Sequence, residues 1–175
     1  SKIFLTDRRV DELRARIQSD PAVFDALRSK VERYFDGVPY NTAEFSAANL
    51  LLFMLGEDER YFSKAREYYD LVYRSSPGVG WSGYESRNGF RTGAIWAILY
   101  YSWARDSLPA SEVEEIKQNM QTWGAYWLEH INYFNDFDGF RWNDSDETTS
   151  LAENLTVLGY LLQEEPVGQQ LLNAG

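Results

Sequence analysis

His130, Tyr84, Arg87, Asn88 and Arg91 are the residues whose types and spacing could do acid–base chemistry on an anionic substrate. His130 is the only histidine, and imidazole exchanges protons near neutral pH. At a helix end its cation would equally complement the helix dipole. Tyr84 could act as base or acid if its phenol were deprotonated by nearby cations. Arg87 or Arg91 could grip a carboxylate through two parallel hydrogen bonds, or could pair with Asp136 or Asp138. Those two aspartates, with Asp144 and Asp146, make a later stretch acidic. Paired carboxylates across a cleft suit glycoside hydrolysis and clustered oxygens suit calcium, whereas solvated loop charges need neither. The spacing departs from an EF-hand loop, because Phe140 stands at the fifth position from Asp136. Trp81, Tyr84, Phe140 and Trp142 could stack on sugar rings, whose apolar faces suit flat amphipathic aromatics. They could instead plug the end of a helical bundle.

These residues need elements to bring them together. Three helix-like stretches open alike, at Asn41-Thr42-Ala43, Arg91-Thr92-Gly93 and Glu147-Thr148-Thr149, each after a segment containing glycine and aromatics. If the helices alternate in direction, the preceding segments share one end of the molecule. Tyr40, Trp81, Tyr84, Phe90, Phe140 and Trp142 then ring one mouth. The stretches 42–55, 92–104 and 148–162 are apolar almost all round, which predicts burial. Amphipathic helices at 58–73 and 111–131 alternate with them. Thr6-Asp7 caps a helix reaching about 18, and Asp20-Pro21 starts another reaching about 35, with Val23, Leu27, Val31 and Tyr34 at helical spacing. Ser111 with Glu114 fits a capping box. Glu165-Pro166 ends the last long helix before a short closing one. Segments 74–90 and 132–146 read as loops longer than about 12–15 residues, a length usually tied to function. Helix starts near 41, 91 and 147 make a loose repeat of roughly 50 residues. The expected architecture is one all-α domain over 1–175, built of antiparallel helical hairpins in inner and outer layers.

Composition narrows the function classes. The net charge is −10, so nucleic acid and anionic membrane surfaces are unfavourable partners. There is no cysteine, which excludes disulfides, thiolate zinc sites and a thiol nucleophile. No apolar run approaches the roughly 20 residues that span a bilayer. A Gly-rich phosphate loop, a Ser-His-Asp signature and His-Glu-x-x-His are all absent from the sequence. No cofactor and no metal are expected. The chain opens at Ser1 without a signal-peptide pattern, and a removed leader is the expectation for a periplasmic or secreted protein.

Several segments are similar to one enzyme group. Ile3-Phe4-Leu5-Thr6 with Val10, Leu13, Arg14, Arg16 and Ile17 resembles the opening of heparinase II/III-like and alginate-lyase-like proteins. The stretch 91–104, Asp106-Ser107-Leu108-Pro109 and 112–116 resemble a helix, turn and helix of that group. Trp142-Asn143-Asp144 before an apolar helix resembles the loop that carries a catalytic Asn there. The resemblance implies an (α/α) toroid, of which this chain would supply about half, and a polysaccharide lyase acting by β-elimination. It makes Asn143 the group that neutralises the sugar carboxylate; Tyr84, His130 and Arg87, read from their residue types alone, complete the candidate catalytic set. Tyr40, Trp81, Asn88, Arg91, Arg141 and Trp142 would bind the polysaccharide or oligosaccharide. The group often has a histidine near that Asn; here Asp144, Ser145 and Asp146 follow, and Asn143, Asp144 or Asp146 could simply cap the helix. A toroid glycoside hydrolase and a glycan- or partner-binding helical domain are the alternatives. In a half-toroid the helices at 42–55 and 148–162 would lie exposed, at about 1.5–3 kcal/mol for each Leu or Phe. Self-association, or a missing C-terminal half, follows as an expectation.

Overall fold

Local signals at the start of the chain work as the residue types dictate. In the computed structural model the Thr6 hydroxyl accepts a hydrogen bond from the Arg9 backbone N–H, and α1 runs Asp7–Ser19. The structure describes residues 2–56, 58–75, 80–85, 87–130 and 146–174, with the backbone alone at 84, 85, 87, 88, 146–149 and 174. Seven further α-helices follow: α2 Ala22–Glu32, α3 Thr42–Gly56, α4 Glu59–Tyr69, α5 Arg87–Ala104, α6 Ala110–Glu129, α7 Asp146–Leu161 and α8 Pro166–Ala174. The described residues contain no strand. None of their helices is long and apolar enough to cross a membrane. The chain is all-α.

Several boundaries differ from the sequence expectation, each for a local reason. Helix α2 stops at Glu32, and Val23 is 73% exposed. Phe24, one position on, packs against the cluster around Val31, Phe45 and Leu52 instead. Helix α4 gives way at Asp70 to a π-helical turn, Asp70–Arg74. The widened turn still carries Tyr73 inward, where its hydroxyl donates to the Gly93 carbonyl at 2.6 Å. The segment read as a loop up to residue 90 contains a 3-10 turn, Trp81–Glu85, and α5 begins at Arg87, earlier than Thr92. Ser111 does not cap α6: Pro109 occupies that position without a side-chain cap, which leaves Ser111 inside the first turn.

The packing runs through α5. Phe53 of α3 meets Phe62 of α4 at 5.0 Å, and the Ser46 hydroxyl donates to the Ala65 carbonyl, so α3 and α4 run antiparallel. Tyr69 stacks on Tyr100 at 3.9 Å while Tyr73 reaches back to Gly93, which sets the α4 arm antiparallel to α5. Phe90 packs against Trp123 and Trp127 of α6. The Asn154 amide of α7 donates to the carbonyls of Phe90 and Arg91. A Cβ at Gly124 would lie 3.0 Å from Val167 and 3.1 Å from Leu171, so the missing side chain lets α6 and α8 approach closely.

Much of the apolar surface of these helices is covered within the chain, although Leu51 and Leu55 of α3 line an open apolar pocket. Leu50 and Leu52 of α3 and Leu151, Leu155 and Leu158 of α7 are buried. Contrary to expectation, α7 has an outward stripe, with Ala152, Glu153, Thr156 and Tyr160 exposed. The exposed leucines that motivated self-association are therefore missing from α7.

Gly80 marks the tightest backbone approach near the aromatic core. A Cβ there would stand 2.5 Å from the Val72 carbonyl oxygen and 2.6 Å from that of Tyr73. Gly80→Ala is expected to destabilise the fold by about 1–3 kcal/mol, read as a lower thermal midpoint. Gly37→Ala, with nothing within 4 Å of the added methyl, is expected to leave the midpoint within about 0.5 kcal/mol of the parent. Equal effects would show that the approach at Gly80 is not a constraint.

Candidate functional site

The contacts above align the helix ends. Tyr68, near the end of α4, donates from its hydroxyl to the carbonyls of Tyr34 and Gly37, just ahead of α3. The same arm carries Tyr73 to the first turns of α5. Asn154 ties α7 to that turn as well, and Trp123 and Trp127 bring the end of α6 beside it. Helices α3, α5 and α7 therefore begin, and α4 and α6 finish, at one end of the molecule. The sequence expectation of a shared end holds for the described residues.

A continuous run of rings supports that end. Tyr100, Tyr69, Tyr73, Trp81 and Trp123 follow one another at centroid distances of 3.9, 4.7, 5.3 and 4.6 Å. Phe90, Trp127, Tyr126 and His130 continue it at 5.5, 5.5, 5.3 and 4.1 Å. Phe90 is 1% exposed and belongs to the core, not to a rim. Trp81 lies mostly within the same packing. Its carbonyl accepts from the Trp123 indole at 3.2 Å, so its ring plugs the bundle end more than it offers a sugar a face. The Trp81 indole N–H and the Tyr69 hydroxyl are buried without a hydrogen-bond partner, and each forgoes about 1–3 kcal/mol for that.

His130 stands at the edge of this run, half-buried. Its backbone N–H donates to the Tyr126 carbonyl, and its Nδ1 lies 2.7 Å from the same oxygen. A carbonyl only accepts, so Nδ1 carries the proton and the neutral ring has its lone pair on Nε2. The ring lies nearly parallel to Tyr126, at 21°. One contact thus caps the helix and selects a base-competent tautomer.

The cations divide. Arg74, read as part of a basic loop, is consumed structurally: it bridges Asp70 at 2.7 Å and holds Glu115 through two hydrogen bonds of 3.1 Å. That pair, with Arg66–Glu112, clamps the α4 arm to α6. Arg87 and Asn88 lie on the first turn of α5 and Arg91 opens the second, so none of them is in a loop. Arg91 is half-buried, and its carbonyl is one of those held by Asn154. Tyr84 lies in the 3-10 turn; its side chain, with those of Arg87 and Asn88, falls outside the described set. Tyr40 is fully exposed. Asn143, Arg141, Trp142, Phe140, Asp136, Asp138 and Asp144 lie outside the described residues. Two structural features beside the candidate residues escaped the sequence reading: the Tyr126 shelf beneath His130, and Asn154, an inward polar residue at helical spacing. A buried Asn in an otherwise apolar helix was the available signal for the second.

Comparison with family models, with curated proteins and with solved structures finds no match to this chain.

Buried phenols in the ring run give a pH prediction. Desolvation raises the hydroxyl pKa of Tyr69, Tyr73 and Tyr100 above the ordinary phenol value. Tyr61 is pushed up to about 12 by burial and by its hydrogen bond to Glu32. A raised folded-state pKa means the unfolded chain loses its protons first. Stability should therefore hold below the ordinary phenol pKa of about 10 and fall as pH rises through that value. The tyrosinate absorbance of the buried set should appear only together with loss of helical circular dichroism. Ionisation of every tyrosine with the helices intact would contradict this burial.

Proposed function

We propose that this chain is a carbohydrate-active domain of a polysaccharide lyase, cleaving uronic-acid-containing glycans by β-elimination. The reading takes the helices as part of an (α/α) toroid, with α3, α5 and α7 inside and α4, α6 and α8 outside. It places the protein in the periplasm or outside the cell. The observation that carries it is His130: a base-competent imidazole at the end of the bundle where α5 and α7 begin, directly before the segment holding Asn143.

The chemistry follows from what each residue type can do. The proton beside a uronate carboxylate is removable only when the carboxylate charge is neutralised. Asn143, with Arg87 or Arg91, supplies that neutralisation by hydrogen bonding. His130 Nε2 takes the proton, and Tyr84 protonates the departing glycosidic oxygen. Asn88, Arg141, Trp142, Trp81 and Tyr40 are the proposed sugar contacts, with Trp81 limited to its uncovered edge. The net charge of −10 works against an anionic polymer at long range, so the cations at the start of α5 must act locally.

Incubation with alginate, heparin-like and pectin-like polymers should raise the ultraviolet absorbance of an unsaturated uronide. His130→Ala and Asn143→Ala should lower turnover about 10²–10⁴-fold with the helical signal unchanged. New reducing ends without that absorbance would replace the lyase by a hydrolase using the Asp136–Asp146 carboxylates. Saturable binding without turnover would make this a glycan-binding domain.

A further inference from the structure

The opposite end of the bundle holds a groove of about 550 Å³, within the range of small-molecule sites. Helix α1, the α3–α4 turn and the end of α5 enclose it, with Lys2, Asp7, Asp11, Arg14, Glu59 and Trp103 among its walls. We propose that this groove binds a neutral saccharide. The site stands on its own residues and does not depend on the chemistry proposed at the other end.

Trp103 provides the platform. It is half-buried, and its indole N–H is already bound to the Ile3 carbonyl at 2.8 Å. The indole is held between two core clusters, and the part of it left uncovered lines the groove as an apolar surface. A pyranose ring presents C–H groups on one face and hydroxyls around its edge, which matches a flat aromatic inside a polar rim. The rim carries both kinds of partner. Asp7, Asp11 and Glu59 accept from hydroxyls; Lys2 and Arg14 donate to them. Arg14 is held in place by the Met54 carbonyl at 2.7 Å, with Asp11 at 3.8 Å.

Charge selects the ligand class. Three carboxylates against two cations leave the rim at −1, in a chain whose net charge is −10. A uronide would meet net repulsion, and a polyamine would leave Lys2 and Arg14 facing like charge. A neutral polyol satisfies both signs.

The backbone beside the groove is strained, a second sign that its shape matters. Phe4 has φ of 61°, a left-handed conformation that bulky residues rarely adopt, and it is 68% exposed. The strain costs of the order of 1–3 kcal/mol. It is imposed by buried anchors on each side, Ile3 and Leu5. Ile3 is fastened twice, its N–H to the Ser102 hydroxyl at 2.7 Å and its carbonyl to Trp103. This strap sets Lys2 and Asp7 at the groove.

The test uses chain labelled with ¹⁵N at the indoles of its six tryptophans, Trp103 being assigned with Trp103→Phe. A neutral gluco-oligosaccharide should shift the Trp103 indole saturably. Glu59→Gln and Asp11→Asn should each weaken that binding about tenfold, while His130→Ala leaves it unchanged. Failure of the lyase assay would not touch this result. The proposal is overturned if the Trp103 signal stays put, if only a uronide oligosaccharide or spermine moves it, or if both rim variants bind like the parent.

Discussion

The stacked, desolvated rings between α4, α5 and α6 are the interaction on which the rest of the structure depends. They tie Tyr69 and Tyr73 of the α4 arm, Phe90 and Tyr100 of α5, and Trp123 and Trp127 of α6 to the Trp81 turn. Truncating one such ring to alanine costs about 3–5 kcal/mol, more than any surface ion pair nearby contributes. The rings explain features that otherwise look arbitrary. The π-helical turn keeps Tyr73 facing inward, and Gly80 lets the Trp81 turn lie against the Tyr73 backbone. An unpaired Tyr69 hydroxyl is tolerated because the ring that carries it is held on several sides.

This constraint divides the molecule into two ends of different character. At one, the ring run surfaces as the Tyr126–His130 pair near the start of α5. At the other, short turns bring α1, α3, α4 and α5 around a mixed-charge groove floored by Trp103. The Arg66–Glu112 and Arg74–Glu115 pairs lie along the α4–α6 seam, and Lys117–Glu165 joins α6 to the start of α8. They remove arginines from the pool of ligand-binding cations.

Much of the fold was legible because its signals are local. Thr6 caps α1 by its own hydroxyl, Pro166 opens α8, and the all-round apolar runs of α3 and α5 are buried. The errors arose where neighbours one residue apart compete for the same face. Val23 and Phe24 both fit a helical stripe, and the larger buried surface of phenylalanine decides in favour of Phe24. At Ser111 the box pattern lost to Pro109, whose fixed φ starts the helix first. The early start of α5 was hidden by Gly89, which reads as a loop residue. The site was legible only in its ingredients. That Arg74 would be spent on Glu115, and that Trp81 would turn into the core, depend on partners about 40 residues away in sequence. No periodicity reports such pairings.

The absence of cysteine makes the central geometry directly measurable. A nitroxide at Glu129→Cys, an exposed position beside His130, should broaden the Trp81 indole resonance strongly. Trp103, at the far end of a helix spanning about 30 Å, should stay sharp. Broadening of Trp103 to an equal or greater degree would contradict the shared end of α5, α6 and α7, and with it the placement of the proposed catalytic rim.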